Sequence, residues 1–165
     1  MADQLTVIGS TTKSAAGLGN GEITLTPLAS VLADNTNYEI HWGGNDSMRV
    51  DVPGNTDQTG YLQVYARNGT SAQRWTAAAA DPHGYRQLKS SHGMCLTTMD
   101  QPNFDVTQTP CGNGSNTGQA WKYESGRLVA ENGQSLDVNP SNHHVVSGQP
   151  GSSDAQQWGL EEANS

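Results

Sequence analysis

Gln73-Arg74-Trp75, Gln119-Ala120-Trp121 and Gln156-Gln157-Trp158 are three copies of one signal, a Gln-x-Trp that follows a turn rich in Gly, Asn and Ser. Repetition of this kind decides an architecture before any single element is read, because a unit that recurs packs against its own copies. Upstream of each copy lies a second matching segment: Arg49-Val50-Asp51-Val52, then Cys95-Leu96-Thr97-Thr98, then Ser135-Leu136-Asp137-Val138. The third residue of each segment precedes its Gln by 22, 22 and 19 positions. Between the two markers fall Tyr61-Leu62-Gln63-Val64-Tyr65, Asp105-Val106-Thr107-Gln108-Thr109 and the weaker His144-Val145-Val146-Ser147. Apolar and polar residues alternate in these stretches and β-branched types recur, which predicts strands. Each unit supplies several short strands and cannot bury both of its faces alone. Three units must therefore close around a shared core, with the three tryptophans inside it.

Composition agrees with an all-β chain. Of 165 residues only 33% are hydrophobic and 15% charged, and 19 are Gly, a balance that favours short strands and turns over amphipathic helices. The length suits one domain. A net charge of -8 with no basic cluster repels phosphate backbones and anionic lipid, so nucleic acid is not an expected partner. No apolar run approaches the roughly 20 residues that span a bilayer, and the first residues lack the basic start and apolar stretch of a signal peptide. The expectation is a mature soluble protein without a transmembrane segment. Cys95 and Cys111, 16 positions apart, are too distant for a CxxC redox pair and too few for a zinc site. A single disulfide and an oxidising, extracellular compartment are the preferred reading, against two buried thiols in a reducing one.

Enzyme signatures are absent: there is no Gly-x-Ser-x-Gly elbow, no HExxH helix and no phosphate-cradling glycine loop. Glu161-Glu162 pairs two carboxylates, but at a position expected to be a frayed end. No catalytic residue, metal site or cofactor is expected. Asn45-Asp46-Ser47, Asn68-Gly69-Thr70 and Asn113-Gly114-Ser115 fit the N-glycosylation pattern.

The three ordered copies resemble the ricin B-type trefoil lectins, whose units carry a Cys-Leu-Asp-Val segment, a Val-Gln-Leu-(Tyr/Trp) strand and a terminal Gln-x-Trp. The resemblance runs from about Tyr38 to Glu161. It implies a β-trefoil with pseudo-threefold symmetry over residues 37–161, with units at about 37–78, 79–123 and 124–161 and a short tail at 162–165. It also implies a shallow sugar pocket in each unit and, as elsewhere in the family, a parent enzyme or toxin chain as a potential partner. By the same resemblance Cys95 and Cys111 form the bridge of the second unit, while Arg49 with Arg67 and Ser135 with Pro150 occupy those places in the others.

A neutral sugar offers hydroxyls and one apolar ring face, so a pocket needs a carboxylate or amide for paired hydrogen bonds and an aromatic to cover the face. In the first unit the resemblance assigns Asp51 as carboxylate, Gln63 on the strand, Tyr65 as platform, Asn68 just beyond and Gln73 behind. Ala72 departs from the family, which often has Asn there. The second unit has Thr97, Thr107 and Thr109 at the functional positions and should not bind. The third keeps Asp137 and Gln156 but has Val146 and Gly148, and its His143-His144 pair is the candidate replacement ring for a weaker second site. Against these stand plainer roles: Asp51 and Asp137 as turn caps, each Gln of the Gln-x-Trp as a structural amide, and the His pair as a polar turn.

The expected function is a carbohydrate-binding lectin or module for neutral glycans of galactose or xylose type. The alternative is a protein-interaction trefoil, a protease inhibitor or toxin-targeting subunit, in which the pockets are vestigial. Residues 1–36 lie outside the repeat. There Thr26-Pro27 with Leu28, Val31 and Leu32 reads as a short helix, and Glu22-Ile23-Thr24-Leu25-Thr26 reads equally as a strand added to the barrel edge.

Overall fold

The computed structural model describes residues 28–163. The chain enters through β1 (Leu28–Ala29) and then runs through three groups of strands. The first holds β2 (Thr36–Trp42), β3 (Asn45–Asp51), β4 (Gly60–Tyr61) with its continuation β5 (Gln63–Ala66), and β6 (Trp75–Ala77). The second holds β7 (Leu88–Ser90), β8 (Cys95–Thr97), β9 (Thr107–Thr109) and β10 (Trp121–Glu124). The third holds β11 (Arg127–Ala130), β12 (Ser135–Val138), β13 (Val145–Gly148) and β14 (Trp158–Glu162). The groups follow the sequence repeat, and this is the pseudo-threefold β-trefoil. β10 and β14 each run one residue beyond the ends expected for the second and third units.

Neighbouring groups are joined by antiparallel pairs β6–β7, β10–β11 and β14–β2, which close a barrel. Ser125 and Gly126, with φ of 52° and 80°, make the two-residue turn between β10 and β11, where both central residues must be left-handed to match the strand twist. Inside each group the middle strands form a hairpin, and the registers coincide. Asp51 faces Gln63, Thr97 faces Thr107 and Asp137 faces Val146. Two residues along, on the same face, Arg49 faces Tyr65, Cys95 faces Thr109 and Ser135 faces Gly148. The three hairpins meet on the pseudo-threefold axis in a closed ring of backbone hydrogen bonds: Leu62 N–H to Val106 O (3.1 Å), Val106 N–H to Val145 O (2.8 Å) and Val145 N–H to Leu62 O (2.9 Å).

The core is built by the alternation read from the sequence. Leu62, Leu96, Leu128, Leu136, Val106 and Val145 are completely buried, and Trp75, Trp121 and Trp158 are buried with them. Each indole also spends its one donor in the same way, on the carbonyl of Val50 (3.2 Å), Leu96 (2.9 Å) or Leu136 (2.9 Å). Truncating any one of the three to Ala would cost about 3–5 kcal/mol.

Two expectations are corrected. Leu28 is not in a helix: Leu28 and Ala29 are extended and pair with Glu161 and Leu160 of β14. The free edge of β14 supplies ladder partners that a solvent-exposed two-turn helix lacks, and tertiary pairing overrides the local pattern. The alternative strand at 22–26 lies outside the described residues. Glu161 is not frayed either. It sits within β14, accepts a hydrogen bond from His41 Nε2 (2.7 Å) and lies 3.7 Å from Arg49 Nη2.

The places given to cysteines differ among the units. Cys95 and Cys111 are bridged. In the first unit Arg49 and Arg67 both donate through Nε to one oxygen of Glu39, at 3.0 and 2.9 Å, so a carboxylate between two guanidiniums ties the segments that a disulfide ties in the second. In the third unit the corresponding Ser135 hydroxyl is buried without a partner. Burial pushes the Glu39 carboxyl up, but the hydrogen bonds from Arg67 and Arg49 outweigh it and hold it below its ordinary value of 4.5. Burial and the Arg49 charge hold His41 below its ordinary 6.5, against the pull of Glu161.

Removing one partner of a buried ion pair strands the other. Glu39→Ala should therefore cost roughly 3–5 kcal/mol in denaturant unfolding. Arg67→Ala, at an exposed end of the network, should cost at most about 1 kcal/mol, and loss of the Cys95–Cys111 bridge about 3 kcal/mol with the fold retained. Equal losses for Glu39→Ala and Arg67→Ala would contradict the network. Both lowered pKa values have the same sign: their stabilisation is present above 6.5 for His41 and above 4.5 for Glu39, and is lost as pH falls through the lower values in the fold. Melting temperature should decline in calorimetry from pH 7 towards pH 4, and His41→Gln should flatten the upper part of that decline.

Candidate functional site

The site follows from the Gln of each Gln-x-Trp. This residue closes a single 3₁₀ turn, Ser71–Gln73, Thr117–Gln119 or Asp154–Gln156, just before the strand that carries the Trp. Its amide is buried and engaged at both ends. Oε1 accepts from the N–H of Asn68 (3.1 Å), Gly112 (2.8 Å) or Gly151 (2.8 Å). Nε2 donates to the carbonyl of Ala66 (3.0 Å), Pro110 (3.0 Å) or Gln149 (2.7 Å). Nε2 also donates to the side chain at the third position of the first marker: Asp51 Oδ2 (3.0 Å), Thr97 Oγ1 (3.1 Å) or Asp137 Oδ2 (3.0 Å).

From this shared base the units diverge. In the first, Asp51 also accepts from Gln63 Nε2 through Oδ1 (2.9 Å), so two amides fix the carboxylate. Tyr65 stands beside them with 52% of its surface exposed. Asp51, Gln63, Tyr65 and Asn68 line a cleft of about 410 Å³, and Gln73 lies behind it. The structure thus brings all five residues expected for the first unit together. Asn68 Oδ1 accepts from Thr70 N–H (3.0 Å) and Oγ1 (2.8 Å). The same local bonding, an Asn Oδ1 accepting from the backbone N–H two residues on, recurs at Asn45 and Asn113.

Asn55 and Thr70 also line the cleft and were not among the expected residues. Pro53-Gly54-Asn55 is a turn signal, with Gly54 and Asn55 left-handed at φ of 68° and 51°. Nothing local shows that the turn leans over the cleft. It is held there by Asn55 Nδ2 on Ser71 Oγ (3.1 Å) and by His92 Nε2 of the second unit on the Asn55 carbonyl (2.8 Å).

The second unit has closed on itself. Thr97 and Thr109 hydroxyls bond each other at 2.7 Å, and Gln119 Nε2 donates to both. In the third, Asp137 Oδ1 accepts from the backbone of Val138 (2.7 Å), and a Cβ added to Gly148 would lie 2.5 Å from Asp137 Oδ2. No platform side chain fits there without displacing the carboxylate. The His pair does not serve Asp137. His143 adopts φ of 64°, and its carbonyl accepts from Val64 of the first unit (2.9 Å). His144 donates through Nδ1 to Asp105 (3.1 Å) and stacks on Tyr61, with centroids 4.0 Å apart and 11° between the planes. Its backbone partner is Gln63. The ring expected for the third unit therefore belongs to the rim of the first.

Among the described residues no group of three His, Cys, Asp or Glu side chains is placed to hold a metal ion, and no helix is long and apolar enough to cross a membrane.

The fold has many solved counterparts. A designed threefold-symmetric protein, ThreeFoil, superposes with a TM-score of 0.69 at 23% identity over 77% of this chain and 99% of its own. The C-half of the earthworm R-type lectin, solved with GalNAc, gives 0.62 at 14% identity over 78% and 99%. An exo-β-1,3-galactanase from Clostridium thermocellum gives 0.67 at 18% identity, over 80% of this chain but 31% of that one. Curated protein sequences include no match to this chain. The profile of the ricin-type beta-trefoil lectin domain covers residues 36–158, most of the chain. With three Gln-x-Trp clamps, twelve strands in matching register and that profile together, the chain belongs to the ricin-type β-trefoil lectin family.

Proposed function

We propose that this domain is a secreted, non-catalytic carbohydrate-binding module that takes neutral glycans of galactose or xylose type in the cleft of its first unit. The observation that carries the reading is Asp51, a carboxylate fixed by the amides of Gln63 and Gln73 in a cleft that the exposed ring of Tyr65 also lines. Its oxygens and the neighbouring amides can take paired sugar hydroxyls, while Tyr65 covers the apolar ring face. The GalNAc bound in the earthworm lectin structure supports a sugar as ligand. A non-catalytic role is supported by the lining itself: Asp51 is the one carboxylate among the residues of this cleft, whereas glycoside hydrolysis uses two. The Cys95–Cys111 bridge supports secretion, since such bonds persist in oxidising compartments.

Glycan-array screening followed by titration calorimetry tests the proposal. Absence of binding to any neutral glycan at millimolar concentration would overturn it, and capture of a secreted protease by the same material would favour the protein-binding alternative. Asp51→Ala should lower affinity about tenfold or more, because hydrogen bonds to a charged group contribute roughly 1.5–3 kcal/mol. It should also lower stability by about 1–3 kcal/mol, because a donor of the buried Gln73 amide loses its partner. Tyr65→Ala should reduce affinity to a similar degree with an unchanged melting temperature, which separates binding from folding.

For the third unit the expectations are opposite. Asp137→Ala should change affinity less than Asp51→Ala does. Gly148→Tyr, which would restore an aromatic at the platform position, should lower the melting temperature and create no second site, because the new Cβ meets Asp137.

A further inference from the structure

Along β4 and β5 the side chains alternate strictly. Leu62 and Val64 are buried in the core, and Tyr61, Gln63 and Tyr65 share the outward face. Gln63 and Tyr65 line the cleft, but Tyr61 does not. It lies on the opposite side of Gln63 with 42% of its surface exposed, a large aromatic that the core does not use. Its position is nevertheless fixed. His144 lies opposite Gln63 across the junction between the third and first units, so the two side chains point the same way, and its ring is stacked on Tyr61. His144 is in turn held by Asp105 of the second unit.

Resting on the cleft reading above, we propose that the outward face of β4 and β5 is an extended site for a glycan chain. One sugar is held by Asp51, Gln63 and Tyr65, and an adjoining sugar of the same chain packs on Tyr61, with His144 as the positioning residue that fixes the ring. Four residue steps of extended strand separate the two tyrosines, at most about 13 Å, further than one pyranose ring reaches. Two aromatic platforms flanking a polar centre suit successive rings of a chain, whose hydroxyls meet Gln63 between them. A ring already locked by stacking loses little freedom when a ligand arrives. The arrangement is confined to the first unit. The same three outward positions read Asp105, Thr107 and Thr109 in the second unit and His144, Val146 and Gly148 in the third, with no pair of platforms in either.

Calorimetry on the whole chain with galactose against lactose, and xylose against xylotriose, tests this, the readout being the ratio of affinities for the longer and shorter ligand of the recognised series. The ratio should be roughly three to ten in favour of the longer ligand, the size expected of one aromatic contact. Tyr61→Ala should bring it near one, Tyr61→Trp should preserve it, and His144→Ala should reduce it by releasing the ring. Asp51→Ala should weaken both ligands together and leave the ratio in place. A ratio near one in the unaltered protein, or a ratio that survives Tyr61→Ala, overturns the extended site alone. Failure of every sugar to bind overturns the cleft reading and the extended site with it.

Discussion

One buried amide per unit holds this trefoil together. The side chain of Gln73, Gln119 or Gln156 accepts from the return loop and donates both to that loop's carbonyl and to the first strand of the hairpin. Few side chains could do this. The group must donate and accept at once in a site closed to water, which a carboxylate cannot do and a hydroxyl is too short to do. With the amide in place, the second residue after it is directed into the core, and there the indole closes its own bond to the hairpin. The clamp also fixes Asp51 at the edge of the cleft and Thr97 in its internal network, so the difference between units is a change at its tip and not in its frame.

That economy explains what could be read from the sequence. Gln-x-Trp and its upstream partner recur because the clamp needs both, and their spacing carries the register that places Asp51 opposite Gln63 and Arg49 opposite Tyr65. The candidate site was legible because Asp51, Gln63, Tyr65, Asn68 and Gln73 all lie within one unit. What was not legible crosses between units. Nothing near His144 shows that it reaches Tyr61 and Asp105, nor does the sequence around Glu161 show His41 against it. Leu28, Val31 and Leu32 have helical spacing, and only the edge of β14 makes the chain extend at Leu28. Pattern reading recovers what each repeat does alone and misses what the closed barrel makes adjacent.

The positions flanking the clamp show how freely the rest varies. The same two segments are tied by a disulfide in the second unit and by Glu39 between two arginines in the first, while the third leaves a buried serine hydroxyl unpartnered. These are alternative solutions to one geometric problem, and they respond to different conditions: the covalent tie to reductant, the ionic one to acid. The third unit has neither tie, and its hairpin rests on the four backbone pairs of β12 with β13 and on the Gln156 clamp.

The ring of hydrogen bonds through Leu62, Val106 and Val145 hands each unit's preceding residue to its neighbour: Tyr61 to Thr107, Asp105 to Val146 and His144 to Gln63. The repeat of the amino-acid sequence is thus not the repeat of the surface, since the outward patch near the axis draws Tyr61, Asp105 and His144 from three different units. A homotrimer of the first unit, or a gene carrying it three times over, would not triplicate this face. It would set a tyrosine where His144 now stands beside each Gln63 and bring three tyrosines together at the axis with no aspartate among them, so symmetrisation would make a different surface from the one it set out to copy.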